Sequence, residues 1–339
     1  MVRLSVLDQS PIRDGGTAAD AVRETLALAE AAERLGYHRY WLAEHHSSGG
    51  FAGSTPEILI GRVAAQSREM RVGAGGVMLS HYSPLKVAEN FRMLETLYPG
   101  RIDLGIGRAP GSDRMTSMAL AAGPGGLGIE RFPDQLADLF DYLQGGLPAD
   151  HPFCEIRAVP EGPTAPEVWL LGSSDASASY AAHFGCAFSF AHFINGHGGP
   201  EIMRAYRKHF RPSSRAAAPL GSIGVSVMCA PTEEEARRHA AGRILWLTRV
   251  RTGTARNTGI PSVEEAAAHE YSPMERRIAD DAWRRTTAGE PGQVKAELLS
   301  LAKAYEVEEI VAVTVCHDFA ARLRSYEMLA EAFGLKKRE

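Results

Sequence analysis

The chain has 339 residues, 45% of them hydrophobic and 23% charged, with a formal net charge of −4. A chain of this length and apolar content buries about three-quarters of its surface, which excludes global disorder. The near-balance of 37 basic and 41 acidic residues forces no basic face, so nucleic acid is not an expected partner.

Short apolar runs alternate with helical stripes. Residues 4–7 read as a strand, followed by a helix over 21–35 that Asp20 caps and Gly36 ends. Residues 40–43 form a second strand, 56–66 a helix with Pro56 in its first turn, and 72–78 a glycine-rich third strand. A helix over 84–97 stops at Pro99-Gly100, and a fourth strand covers 102–106. A Gly- and Pro-rich loop, 107–128, leads to a helix at 134–143. Strand 168–171, helix 176–184, strand 187–190, helix 201–210, strand 223–228 and helix 233–247 follow. The stretch 251–290 is polar, broken by Gly and Pro, and weakly helical. A helix at 293–305, an eighth strand at 309–315 and a helix at 319–333 close the chain. This alternation predicts one α/β domain, 1–339, folded as a (β/α)8 TIM barrel with an insertion after strand 7. The rival is an open doubly wound sheet with a small second domain. It calls for a GxGxxG turn after strand 1, where this chain has Asp8-Gln9-Ser10-Pro11.

No apolar run reaches the roughly 20 residues of a membrane span. The N-terminus meets Asp8 before a signal-peptide core could form. Cys154, Cys186, Cys229 and Cys316 are widely spaced and read as reduced thiols in a cytoplasm.

In a barrel, chemistry sits at the carboxyl ends of the strands. Strand 2 ends in Glu44-His45-His46. Adjacent strand residues face opposite ways, so the two histidines make a poor metal pair. One of them is either a general acid or base at the mouth or a hydrogen-bonded structural residue. Gly75-Gly76 in strand 3 fits a flat ligand lying on the backbone, or a crowded helix–strand contact. Arg108, after strand 4, suits a phosphate or a surface ion pair. Strand 5 runs through Gly172-Ser173-Ser174 into a helix start, which is an anion site or an ordinary N-cap. Arg108 and this turn would be close in a barrel and together form a candidate phosphate cradle. Strand 6 ends in Phe190-Ala191-His192-Phe193, an aromatic core patch or a wall beside a flat ligand. Phe51, Met78, Phe190 and Phe193 are candidate pocket walls, and no charge cluster within 251–290 names a charged substrate. These features point to a hydrophobic or aromatic small molecule. The 251–290 stretch is read either as a lid over the mouth or as a surface excursion or dimer contact.

Four runs are distinctive: Trp41-Leu42-Ala43-Glu44-His45-His46, Arg71 to Leu79, Ser83 to Glu89, and Leu94 to Gly111. Together they resemble the bacterial luciferase-like flavin-dependent monooxygenases, in the subgroup near the luciferase α chain. The resemblance implies reduced FMN from a separate flavin reductase, O2 as co-substrate, a flavin hydroperoxide shielded from water, and a cytoplasmic homodimer. It implies His45 as the catalytic histidine and Gly75 and Gly76 beneath the flavin ring, often joined by a cis peptide. It also implies Arg108, Gly172, Ser173 and Ser174 at the phosphate, and His192 beside the ring. Luciferase has a reactive cysteine in this region, where Gly107 precedes Arg108; that departure sets the chain apart from luciferase itself. Hydroxylation, epoxidation and Baeyer–Villiger insertion all remain open. Two other readings are a deazaflavin-dependent hydride-transfer oxidoreductase and a noncatalytic flavin-binding subunit.

Overall fold

The protein is described by a computed structural model covering residues 2–108, 114–120, 129–255 and 258–338. Its strands are β1 (Arg3–Asp8), β2 (Arg39–Leu42), β3 (Arg71–Met78), β4 (Ile102–Gly107), β5 (Glu167–Gly172), β6 (Ala187–Ala191), β7 (Gly221–Cys229), β8 (Thr286–Gly289) and β9 (Glu309–Val313). Every neighbouring pair is parallel, and pairing of β1 with β9 and of β6 with β7 closes an eight-stranded ring. The fold is the (β/α)8 barrel expected from the alternation.

The helices before the seventh strand are α1 (Ala18–Leu35), α2 (Pro56–Gln66), α3 (Pro84–Leu97), α4 (Arg114–Leu120), α5 (Phe132–Leu143), α6 (Asp175–Phe184) and α7 (Gly199–His209). After it come α8 (Glu233–Thr252), α9 (Val263–Ala268), α10 (Pro273–Trp283), α11 (Pro291–Tyr305) and α12 (Phe319–Phe333). The start of α1 differs from the expected cap. Thr17 is the N-cap, and Asp20 completes a capping box by accepting from the Thr17 backbone N–H. Helix α4 lies within the expected 107–128 loop. Residues 109–113 and 121–128 of that loop, including the end of the Leu94–Gly111 run, lie outside the described residues.

The 251–290 stretch holds more structure than its composition suggests: α9, α10 and β8. Strand β8 lies outside the ring, against the far half of β7, where Thr286 pairs Ser226 and Gly289 pairs Cys229. The nine-residue β7 outruns β6, whose last pair is Ala191 with Gly224. The free edge recruits the short Thr-Thr-Ala-Gly strand, which has no alternation of its own. Ile260 is fully buried and bonded through its backbone to Ile12 and Asp14. None of residues 258–290 lines the large cavity described below.

The floor of the barrel is charged. Arg39, at the start of β2, donates to Asp103, Glu167 and Glu309, each at 2.8 Å. Arg71 joins through Asp103 at 2.5 Å. Burial pushes the Glu167 carboxyl up, but Arg39 and Arg71 outweigh that and hold it below its ordinary range. Arg322 does the same for the fully buried Asp8.

Removal of Arg39 leaves three carboxylates without their shared cation. Arg39→Ala is expected to lose about 3–5 kcal/mol of stability, read as a lower urea midpoint. Because Asp8 and Glu167 have lowered folded-state pKa values, their contribution is complete above about pH 5. It is lost as pH falls through those folded values, so acid titration of the wild type is expected to show declining stability there.

Candidate active site

The carboxyl ends of the strands enclose a cavity of about 490 Å3, within the range of about 300–1,000 Å3 usual for small-molecule sites. His45, Gly75, Gly76, Arg108, Gly172, Ser173 and Ser174 all line it.

Glu44 and the two histidines lie just beyond β2 and divide by direction. The Glu44 carboxylate accepts from the Met78 backbone N–H at 3.0 Å and from the Tyr82 hydroxyl at 2.7 Å. His46 Nε2 lies 2.7 Å from the same carboxylate. This network anchors the segment after β2 to the end of β3. His45 faces the cavity instead. Its backbone N–H donates to Gly53, its ring packs 4.6 Å from Phe51, and its Nδ1 is buried with no partner. Burial, with a smaller push from His46, lowers its pKa to about 4. The imidazole is therefore neutral at physiological pH and can accept a proton.

Gly75 and Gly76 are joined by a cis peptide. A Cβ on Gly75 would stand 2.6 Å from Leu7, and one on Gly76 would stand 2.7 Å from the Gly105 carbonyl oxygen. The crowding is therefore between strands, not between helix and strand, and the same two residues present bare backbone to the cavity.

Across the mouth, Arg108 follows β4, and Ser173 and Ser174 follow β5. Ser174 is the N-cap of α6, yet its side chain makes no capping bond. Ser177, one turn on, also faces the cavity, and a Cβ on Gly172 would collide with its hydroxyl at 2.3 Å. A guanidinium, three hydroxyls and the N-terminus of the ten-residue α6 thus border one cavity, which suits a phosphate.

His192 does not join them. It is absent from the lining, and its Nδ1 lies 2.8 Å from the Tyr305 hydroxyl. Of the expected walls, Met78 and Phe193 line the cavity. Phe190 packs into the core against Tyr305, and Phe51 stands behind His45 against Trp246. Among the described residues no cluster of three metal-ligating side chains occurs, and no helix is long and apolar enough to cross a membrane.

The family model for luciferase-like monooxygenases matches residues 2–306. The chain belongs to the luciferase-like monooxygenase family. It is thus an oxidoreductase of the monooxygenase class. This luciferase-like chain is 48% identical to the Bacillus subtilis protein YwcH, with 98% of the chain and all of that protein covered. It is 38% identical to the N-acetyl-S-alkylcysteine monooxygenase of the same organism over the full length of both. Its structure matches that of apo-MsnO8 at 40% identity and a TM-score of 0.91, covering both chains completely. More distant barrels share the fold alone. They include the FMN-bound oxygenating constituent of 3,6-diketocamphane monooxygenase (18% identity, TM-score 0.71) and an F420-dependent secondary alcohol dehydrogenase (10%, 0.69).

Sequence reasoning missed Ser177, Ser189 and Trp41 as lining residues of this luciferase-like site. Signals existed for the first two. Ser177 sits one helical turn after Ser174, and Ser189 is the lone polar residue of Ala187–Ala191, on the inward alternation.

The His45 ring is expected to titrate near pH 4 by NMR; a midpoint near the ordinary 6.5 would contradict its burial. With its folded-state pKa depressed, the unfolded chain takes up this proton first. Stability from this group therefore falls as pH drops from 6.5 toward 4.

Proposed function

We propose that this chain is the oxygenating component of a two-component, FMN-dependent monooxygenase acting on a small molecule with an apolar body. The observation that carries the reading is the pairing of a cationic, hydroxyl-lined cradle with a neutral histidine across one apolar cavity. The donor set fits the phosphate of FMN: Arg108 with its fork of N–H groups, Ser173, Ser174 and Ser177, and the start of α6. The bare backbone of Gly75-Gly76 fits a flat ring that must approach β3 closely.

Reduced FMN, when bound, supplies the two electrons by which one atom of O2 enters the substrate and the other leaves as water. The chain's own residues do the rest. Arg108 and the serines hold the phosphate end. Leu171, Phe193 and Val311 form apolar walls that exclude water from the reacting face. His45 handles the proton, since Nδ1 of its neutral ring has no other engagement. No dinucleotide fingerprint occurs after β1, so a separate reductase delivers the reduced cofactor.

Two experiments test this reading. Arg108→Ala is expected to weaken FMN binding by about 1.5–3 kcal/mol, the value of a charged hydrogen bond, with the fold intact by circular dichroism. Unchanged affinity would place the phosphate elsewhere. Product formation from NADH and FMN is expected to stop when an added flavin reductase is omitted; continued turnover overturns the two-component assignment. Preferential thermal stabilisation by a deazaflavin over FMN would favour hydride transfer instead.

A further inference from the structure

One polar side chain of the cavity wall has no part in the site as described so far. Gln9 directly follows β1, lines the cavity and is 8% exposed. Its carboxamide makes no hydrogen bond among the described residues. Its direction is fixed from both sides. The Asp8 carboxylate points outward, where it accepts from Arg322, from the Tyr40 hydroxyl and from the Ser10 backbone N–H. Ser10 has a left-handed backbone, at φ 49°, and its hydroxyl accepts from Thr25 of α1 at 2.9 Å. Its carbonyl accepts from the Ala52 N–H. These bonds offset the cost of that backbone conformation in a residue other than glycine. With both neighbours turned toward the helices, Gln9 faces inward, on the same side of the chain as the cavity-lining Leu7.

The ring order places Gln9 against the rest of the site. Strand β1 lies between β9 and β2, and β5 lies on the opposite side of the ring. Gln9 therefore stands across the barrel from Ser173, Ser174 and Ser177, at the end of the strand next to the one that His45 follows. Around it the lining is apolar: Leu7, Trp41, Ala43 and Val311. The Trp41 indole N–H is already given to Asp103. Among the described lining residues the one guanidinium, Arg108, follows β4, and the one carboxylate, Glu44, is engaged by Met78, Tyr82 and His46. A charged ligand group beside Gln9 would thus be buried without a free counter-ion, which is costly. An apolar body that fills the cavity strips water from the carboxamide, so it must bring a neutral polar group to replace that water.

We infer that Gln9 recognises a primary carboxamide or lactam on the substrate, accepting its N–H at Oε1 and donating from Nε2 to its carbonyl, and so holds that group on the wall beside His45. A glutamine carboxamide carries an acceptor and a donor side by side in one plane. A ketone, ester or ether offers acceptors only and leaves Oε1 unpaired. A primary amide or a lactam offers N–H and C=O on one edge and satisfies both atoms at once. The inference rests on the oxygenase reading for the reaction, and on the placement of Gln9 in the cavity for the binding. It adds one neutral polar group to the expected apolar substrate.

The test compares 2-oxindole, a lactam, with 2-coumaranone, the lactone of the same shape in which oxygen replaces the N–H. Each is titrated into the full chain without flavin by isothermal titration calorimetry at neutral pH. The wild type is expected to bind the lactam at least about fivefold more tightly, the factor for one neutral hydrogen bond. Gln9→Met, of similar length, is expected to equalise the two, and Gln9→Glu, which keeps an acceptor at the same place, to retain part of the preference. Tm of Gln9→Met is expected to equal or exceed that of the wild type, because no bond of the fold is removed; a fall would make Gln9 a structural residue and overturn the assignment. Equal affinities in the wild type, no binding of either probe, or an undiminished preference in Gln9→Met also overturns it. FMN titrated by fluorescence is expected to bind Gln9→Met as it binds the wild type; weaker binding would give Gln9 to the imide edge of the flavin instead of the substrate. Failure of the wild type to bind FMN would refute the flavin reading and leave the lactam–lactone result to stand by itself.

Discussion

One buried guanidinium ties four strands of the ring together. Arg39 of β2 reaches the first residues of β5 and β9 and the second residue of β4, through Glu167, Glu309 and Asp103. Desolvating such charges is costly, and only near-ideal geometry offsets it. That geometry exists only when the strands start in this register. The same carboxylates reach upward: Asp103 accepts from the Trp41 indole at 2.9 Å and Glu167 from that of Trp169 at 2.7 Å. The two indoles meet edge to face at 5.3 Å and fill the barrel above the charged floor. Trp41 is at once the roof of that layer and part of the cavity wall. The site therefore rests directly on the ion network at the opposite end of the barrel.

Crowding sets the upper layer. Ala74, Gly75 and Gly76 in β3 pass so close to their neighbours that Gly105 has no room for a Cβ, which would stand 2.0 Å from the Ala74 oxygen. The strands consequently approach closely just below the mouth, and backbone takes the place of side chains on that wall. Glu44 then clamps the end of β3 to the segment carrying His45. The histidine's orientation follows from the clamp, because His46 is drawn to the carboxylate and its neighbour must face away.

The mouth combines one neutral base with a cationic, hydroxyl-lined cradle. Arg108 lines the cavity together with Ser173, Ser174 and Ser177. His45, buried in the same cavity, remains uncharged at neutral pH. A charged imidazole there would be poorly solvated and would stand beside His46, so burial and electrostatics favour the same protonation state.

The sequence by itself determined the alternation of strands and helices, and from it the barrel and the end at which chemistry occurs. It also picked out the residues whose chemistry is local to a strand end: His45 beside Glu44, the glycine pair, Arg108, and the Gly172–Ser174 turn. These were legible because neighbours in the chain set them. Only the tertiary structure decided the rest. Strand β8 exists because β7 outruns β6, a fact of pairing that no property of Thr286–Gly289 encodes. His192 turns to the Tyr305 hydroxyl, and Phe190 to the core, because partners 113 residues or more away in the chain claim them. Side-chain direction and charge balance depend on long-range neighbours, whereas periodicity and strand-end motifs depend on adjacent ones.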